Sequence, residues 1–340
     1  MVIIGIPVFN CTQDLISKCL DSVLNQTYTD IEVLIVNDCC TDNTMQYVIS
    51  TLQDYQLKDK VRIINHSKNV GIAESRNTIL KEARGKYLFL MDCDDYIDVQ
   101  TIEILLNQAE LNQAEAVWGS IATHNFEKDE DGVYFQHPNM VFSEKEALGI
   151  YAFGDSRKHF PNSVWNILLN LDFIRRNNVH FESYGYCDDY IFTHKMLILI
   201  TKAVLLSKIT YYWVIREGSQ SHPTERTVIS NKSLKDQFVA NTVLKSFCKQ
   251  FKCKPYYGGY CLRLYKESFF TAYTMVKHRN NFNTPFSNSE IKQAISPIDS
   301  VISTIMITTH WKENLFFCLL GHLPSFLVPP VLRVLYNHRA

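Results

Sequence analysis

Carboxylates supply the chemistry most visible in this chain. Asp92, Asp94 and Asp95 fall within four consecutive residues, and Asp188-Asp189 forms a second acidic pair. In extended backbone Asp92 and Asp94 share one side while Cys93 points to the other. Charges this close repel, and a divalent cation relieves the repulsion. Mg²⁺ and Mn²⁺ favour oxygen ligands, and Mg²⁺ commonly joins one or two carboxylates to substrate phosphates. A diphosphate leaving group would gain directly from such an ion. The competing explanation is a solvated acidic turn or a helix cap. Asp188-Asp189 poses a similar choice. Aspartates at a helix start cap it and complement its dipole, whereas a carboxylate beside a hydroxyl can remove its proton.

The elements that must position these groups are legible in the first third. Val2–Ile6, Ile31–Val36, Val61–Asn65 and Tyr87–Met91 read as strands; Asp14–Asn25, Asp42–Leu52 and Ile72–Ala83 read as helices between them. On the first helix Leu15, Cys19, Leu20, Val23 and Leu24 form the apolar side. Strands alternating with helices predict βαβ units and a mostly parallel sheet covered on both faces. Ligands of such sheets bind beyond the carboxyl ends of the strands. Asp38 and the Asp92–Asp95 cluster both follow strand ends, so their position makes them site candidates.

Beyond residue 110 the pattern is mixed, with strands near Ala116–Ile121 and Val204–Val214 and a helix near Asp189–Ile200. Long helical patterns run through Asn231–Phe251 and Gly258–Lys277, and Arg279–Asn288 reads as a loop. The apolar run Leu315–Leu335 is broken by Pro324, Pro329 and Pro330 and interrupted by His322 and Arg333. A spanning helix wants about 20 predominantly apolar residues, so a surface anchor or a buried helix pair fits better.

Composition narrows the class. With 340 residues, 46% hydrophobic and 20% charged, the chain is an ordinary folded protein of one large domain with an extension, or of two modest ones. A net charge of -1 and no long Lys/Arg run argue against nucleic acid as the main partner. The 10 cysteines include no CxxC pair, which fits free thiols better than zinc ligation or a disulfide framework. Met1 runs straight into the first strand without a basic region or cleavage site, so the expected location is cytoplasmic.

Five segments together resemble the family 2 glycosyltransferases of the GT-A fold. They are Ile6-Pro7-Val8-Phe9-Asn10, the stretch Ile31 to Thr44, Asn69-Val70-Gly71-Ile72-Ala73-Glu74-Ser75-Arg76-Asn77, Leu90-Met91-Asp92-Cys93-Asp94-Asp95, and Asp188-Asp189-Tyr190-Ile191-Phe192. The resemblance covers roughly residues 1–225. It implies a Rossmann-like mixed sheet flanked by helices, with residues 1–110 as the nucleotide-binding part and 111–225 as the acceptor-binding part. Residues 226–340 follow as a helical C-terminal region, with membrane association at the inner face as an expectation.

What the resemblance implies for the site goes residue by residue. Pro7, Val8 and Phe9 form the floor of the nucleoside pocket, with Asn10 beside them. Asp38 hydrogen-bonds the nucleobase, usually uracil. Gly71 and Arg76 pass the nucleotide, and Arg76 is a good partner for base or phosphate oxygens. Asp92 contacts the ribose, Cys93 sits in the donor site, and Asp94 binds the Mn²⁺ or Mg²⁺ cofactor. Asp189 is the catalytic base, with Asp188 standing where Glu is usual. Arg216 opens Arg216-Glu217-Gly218-Ser219-Gln220-Ser221, similar to a stretch near the donor phosphates. The implied activity is inverting transfer from a nucleotide-diphosphate sugar, with uridine favoured, to the hydroxyl of a saccharide or lipid-linked acceptor. Burial or the neighbouring Asp188 would raise the pKa of the base toward neutrality.

Departures from the family pattern are informative. Asn37 replaces a common Asp and Cys39-Cys40 replaces Gly-Ser; if that turn needs a positive φ, Cys39 is strained where Gly would not be. Ile167 stands where related enzymes often carry Lys, so no phosphate cation is expected there. Trp165, Tyr184 and Tyr186 could stack on a sugar face, although core packing is the better default for Trp165. A non-catalytic nucleotide-sugar or carbohydrate-binding protein of the same fold is the alternative. A nucleotidyltransferase would want a glycine-rich basic loop near the N-terminus, and an oxidoreductase would want GxGxxG after the first strand; both are missing. A processive synthase is disfavoured because no QxxRW segment occurs.

Overall fold

The protein is described from a computed structural model, which covers residues 1–53, 60–155, 160–183, 187–216, 231–282, 284–307 and 309–337. Its chain divides into two compact units. The first comprises Met1–Lys145, Pro161–Ser183 and Leu199–Glu225; the second comprises Glu146–Phe160, Tyr184–Ile198 and Arg226–Ala340.

Uninterrupted apolar runs become central strands in the first unit. All seven residues of β1 (Val2–Val8) are buried, as expected for a strand covered on both faces. Helix α1 (Gln13–Leu24) leads to β2 (Ile31–Asn37), α2 (Thr44–Gln53) to β3 (Val61–Asn65), and α3 (Ile72–Glu82) to β4 (Tyr87–Leu90). These four strands are parallel. Helix α3 lies so close to the sheet that a Cβ on Gly5 would sit 2.4 Å from Ile79, which is why the middle of β1 is glycine.

The rest of the first unit mixes directions. It contains β5 (Tyr96–Ile97), α4 (Thr101–Asn112), β6 (Ala116–Asn125), β7 (Glu130–Phe135) and β8 (Met140–Phe142). After α5 (Ala147–Phe153) of the second unit come β9 (Ile167–Asn170) and α6 (Leu171–Arg176); after α7 (Asp188–Leu199) comes β10 (Ala203–Ile215). The ten-stranded sheet has the order β3-β2-β1-β4-β9-β6-β10-β5, with β7 beside β6 and β8 beside β10. Strand β9 is antiparallel to both neighbours, and β6 and β10 are parallel. The expected Rossmann-like mixed sheet is present, and its long strand β10 reaches from the core to the acidic turn described below.

In the second unit α9 (Tyr257–Lys277) is the central rod, and its small, aromatic and aliphatic residues are buried along most of its length. Around it pack α8 (Asn231–Cys248), α10 (Asn288–Ala294), α12 (Trp311–Gly321) and α13 (Val328–Asn337), while α11 (Val301–Ile305) packs on α12. The stretch read as a loop over 279–288 ends at Ser287, which closes a capping box with Glu290. The apolar run near the C-terminus becomes two helices separated at Pro324. No described helix is long and apolar enough to cross a membrane.

Candidate active site

The nucleoside end of the expected site gathers at the carboxyl ends of β1, β2 and β3. Pro7 and Val8 are buried in β1, whereas Phe9 is 44% exposed. Asn10 exchanges hydrogen bonds with Thr41, its Oδ1 accepting from Thr41 N at 2.9 Å and its Nδ2 donating to Thr41 Oγ1 at 3.0 Å. Those bonds join the loops after β1 and β2. Asn37 continues the tie, donating to Asn65 Oδ1 and accepting from Cys40 N. Cys39 between them has φ +61°, so the turn does require the left-handed region and the residue there lacks glycine's freedom.

Asp38 is buried, and its carboxylate serves the chain itself. Oδ1 accepts from Val70 N at 2.9 Å and Oδ2 from Gly71 N at 2.8 Å. His66 Nδ1 lies 2.8 Å from Oδ1, and its Nε2 lies 3.0 Å from Thr78 Oγ1. Gly71 adopts φ +92° at the start of α3, a conformation that favours glycine. Asp38 therefore pins the loop that enters α3 against the end of β2. Oδ2 retains acceptor capacity beyond these bonds.

The acidic turn follows β4. Arg76, buried on α3, donates to Asp92 Oδ1 at 2.9 Å and stands over the Phe181 ring. It is thus committed to the carboxylate expected at the ribose. Asp95 is buried and holds the turn to β10: Tyr211 Oη donates to its Oδ2 at 2.7 Å, and Val214 N donates to its Oδ1 at 2.8 Å. The Tyr211 oxygen also accepts from Asp92 N at 3.2 Å, and its ring stacks on Trp165. From beneath, the Cys11 and Cys19 thiols donate to the carbonyls of Cys93 and Asp92.

Asp94 stands apart from these ties. Its side chain is 34% exposed, and Arg216 Nη2, at the end of β10, lies 3.2 Å from its Oδ2. Burial and the neighbouring Asp92 push the Asp94 carboxyl above the usual carboxylate range, while Arg216 opposes the rise. Burial, with Asp94 and Asp92 nearby, pushes Asp95 up much further, against its bonds from Tyr211 and Val214. The Cys93 thiol is raised by its bond with Cys11 and by burial, so it is no ready nucleophile.

One unit therefore contains Pro7, Val8, Phe9, Asn10, Asp38, Gly71, Arg76, Asp92, Cys93, Asp94 and Arg216. Asp188 and Asp189 belong to the other unit, where they open α7; Asp188 is buried and Asp189 half-buried. Ile167 is buried in β9, opposite Trp118. Tyr184, Tyr186 and residues 217–221 lie outside the described residues. Sequence reading missed Tyr211 and His66 as parts of the site. Asp95 reads as part of the acidic cluster, but nothing local joins it to a tyrosine 116 positions away.

A sheet of this order, with acidic residues gathered past its parallel strands, has the GT-A fold. Residues 3–164 match the model of "Glycosyl transferase family 2". It is 28% identical over 228 residues to glycosyltransferase GlyG of Streptococcus pneumoniae, across 64% of this chain and 72% of that one. It is 26% identical over 222 residues to the poly(ribitol-phosphate) beta-glucosyltransferase of Bacillus spizizenii, again across 64% of this chain but only 32% of that protein. Among solved structures, residues 1–349 of S. aureus TarS in complex with UDP superpose with a TM-score of 0.62 at 15% identity, covering 100% of this chain and 92% of that one. The same TarS segment is also solved with UDP-GlcNAc. At this identity the TarS likeness establishes the fold.

Proposed function

We propose that this glycosyltransferase moves a sugar from a UDP-sugar to an acceptor hydroxyl with inversion, in a cation-dependent reaction that builds a surface polysaccharide or glycolipid. The observation that carries the reading is the partly exposed Asp94 carboxylate facing Arg216 on a turn whose other carboxylates are already tied down. The nucleotides bound by TarS favour uridine as the donor base.

The donor set suits a hard divalent ion. Asp94 offers carboxylate oxygen, and among the described residues no group of three or more His, Cys, Asp or Glu side chains converges to hold an ion alone. One carboxylate supplemented by donor phosphate oxygens is a common arrangement for Mg²⁺. When bound by Asp94, Mn²⁺ or Mg²⁺ supplies neutralisation of the charge that develops on the departing diphosphate. The chain's own residues do the rest. Arg216 binds diphosphate oxygens, the Asp38–Gly71 turn and Phe9 bound the nucleoside, and the Arg76–Asp92 pair orients the ribose. The acceptor oxygen attacks the anomeric carbon from the face opposite the diphosphate. As that bond forms, the bond to the phosphate oxygen breaks and Asp189 takes the acceptor proton, with Asp188 beside it in α7. One displacement inverts the anomeric configuration.

The test is Asp189→Asn. The variant should bind UDP-sugar normally while its transfer rate falls about 10²- to 10⁴-fold, and the wild-type product should have inverted anomeric configuration by proton NMR. Transfer by the variant at the original rate, or retained configuration, would refute the assignment.

The acceptor is proposed to be a saccharide or a lipid-linked saccharide. Exposed apolar side chains on the C-terminal helices and the turns that follow or join them, with Ile302 78%, Met306 77%, Phe326 67% and Val334 61% accessible, favour peripheral contact with a membrane carrying such an acceptor.

A further inference from the structure

Arg216 makes contacts that only partly satisfy it. One end of its guanidinium pairs with Asp94, yet its Nε is buried and makes no hydrogen bond. Buried polar groups of native proteins nearly always have partners, and an orphaned donor calls for an explanation. The acidic turn supplies the context. Asp92 is neutralised by Arg76, and Asp95 is held by Tyr211 and Val214. Asp94 is left facing Arg216. The carboxylate assigned to the cation is therefore matched by an internal cation already in contact with it.

We propose that Arg216 exchanges partners during the binding cycle. In the free enzyme it neutralises Asp94 and competes with a divalent ion for that carboxylate. When a nucleoside diphosphate arrives, its oxygens give the guanidinium a more highly charged acceptor and provide the missing partner for Nε. Bidentate pairing with phosphate is a favoured geometry for arginine. Asp94 is then released to the cation, which the same diphosphate also ligates. Binding is consequently ordered: the cation enters with the diphosphate and does not accumulate on the free enzyme. This inference rests on the reading of Asp94 as the cation ligand.

Two ligands give the prediction opposite signs. Removing the guanidinium strips Asp94 of its competitor, so the free protein should hold Mn²⁺ more tightly. It also removes a diphosphate ligand, so UDP should bind less tightly. Loss of fold weakens both, which separates the proposal from a structural defect.

The experiment measures Mn²⁺ binding to the full chain through the electron paramagnetic resonance signal of the free ion, with and without UDP. Wild type, Arg216→Gln, Arg216→Lys and Asp94→Asn are compared. For Arg216→Gln, Mn²⁺ affinity without UDP should rise about fivefold, the scale of a partly exposed ion pair. UDP affinity in the presence of Mn²⁺ should fall at least about tenfold, the scale of a lost charge-assisted hydrogen bond. Arg216→Lys should keep the weak Mn²⁺ affinity of the wild type. Equal or weaker Mn²⁺ affinity of Arg216→Gln without UDP would overturn the exchange, even if Asp94→Asn still abolishes Mn²⁺ binding. If Asp94→Asn binds Mn²⁺ and UDP as the wild type does, the reading of Asp94 itself fails and the exchange falls with it.

Discussion

Cys39 is the residue whose type conflicts most openly with its backbone. At φ +61° it occupies a region that costs a non-glycine residue about 1–2 kcal/mol. Cys39→Ala keeps the strain and removes the thiol; Cys39→Gly removes both. The glycine variant should exceed the alanine variant in stability by about 1 kcal/mol after the larger entropy of the unfolded glycine chain is deducted. Chemical denaturation of the two variants measures this, and equal midpoints would show that the turn is not strained. The conflict was legible in the sequence because Cys stands where the family carries Gly. The partners of Asp38 were not legible. An aspartate in that position reads as a ligand of the base, but its bonds from Val70 and Gly71 depend on where the loop into α3 folds back. The Arg76–Asp92 pair was not legible either, because it follows from the placement of α3 against β1 and β2.

At the scale of elements, the βαβ units were readable because apolar runs, helical periodicity and turn residues agreed with one another. Helix α4 was not assigned: its Asn and Gln residues dilute the apolar periodicity, and packing on β6 and β10 settles it. Strand β9 has only four residues, preceded by Asn166 at φ +63°. Its identity comes from pairing with β4 and β6, which no local signal encodes. Helix α8 carries a testable anomaly. Lys245 is buried, its ammonium donates to the carbonyls of Ala294 and Ser296, and burial with Lys249 nearby lowers its pKa to about 7 from an ordinary 10.5. Between those values the unfolded chain binds the extra proton, so this residue's contribution to stability rises with pH from about 7 toward 10.5. Below the lower value both states are charged and the penalty is constant. Lys245→Met should remove the rise. Denaturation of both proteins from pH 6 to about pH 9.5 tests this, and parallel curves would contradict it.

At the scale of the whole molecule, the C-terminal helices and the catalytic sheet bear on function differently. The sequence placed an apolar, proline-broken run at the C-terminus; the fold divides it into α12 and α13 around α9 and leaves Phe326 and Val334 outside. The protein should sediment with vesicles containing phosphatidylglycerol, and the double variant Phe326→Ser, Val334→Ser should do so less while keeping its fold. Failure of the wild type to sediment would remove membrane contact from the account. The central claim concerns Asp94. Its most direct test is release of UDP from UDP-sugars by the wild type and by Asp94→Asn, in the presence of saccharide acceptors and with Mn²⁺ or EDTA. The account predicts turnover that EDTA abolishes and that the variant loses by at least about 10²-fold. Turnover that persists in EDTA, or survives intact in Asp94→Asn, would contradict it.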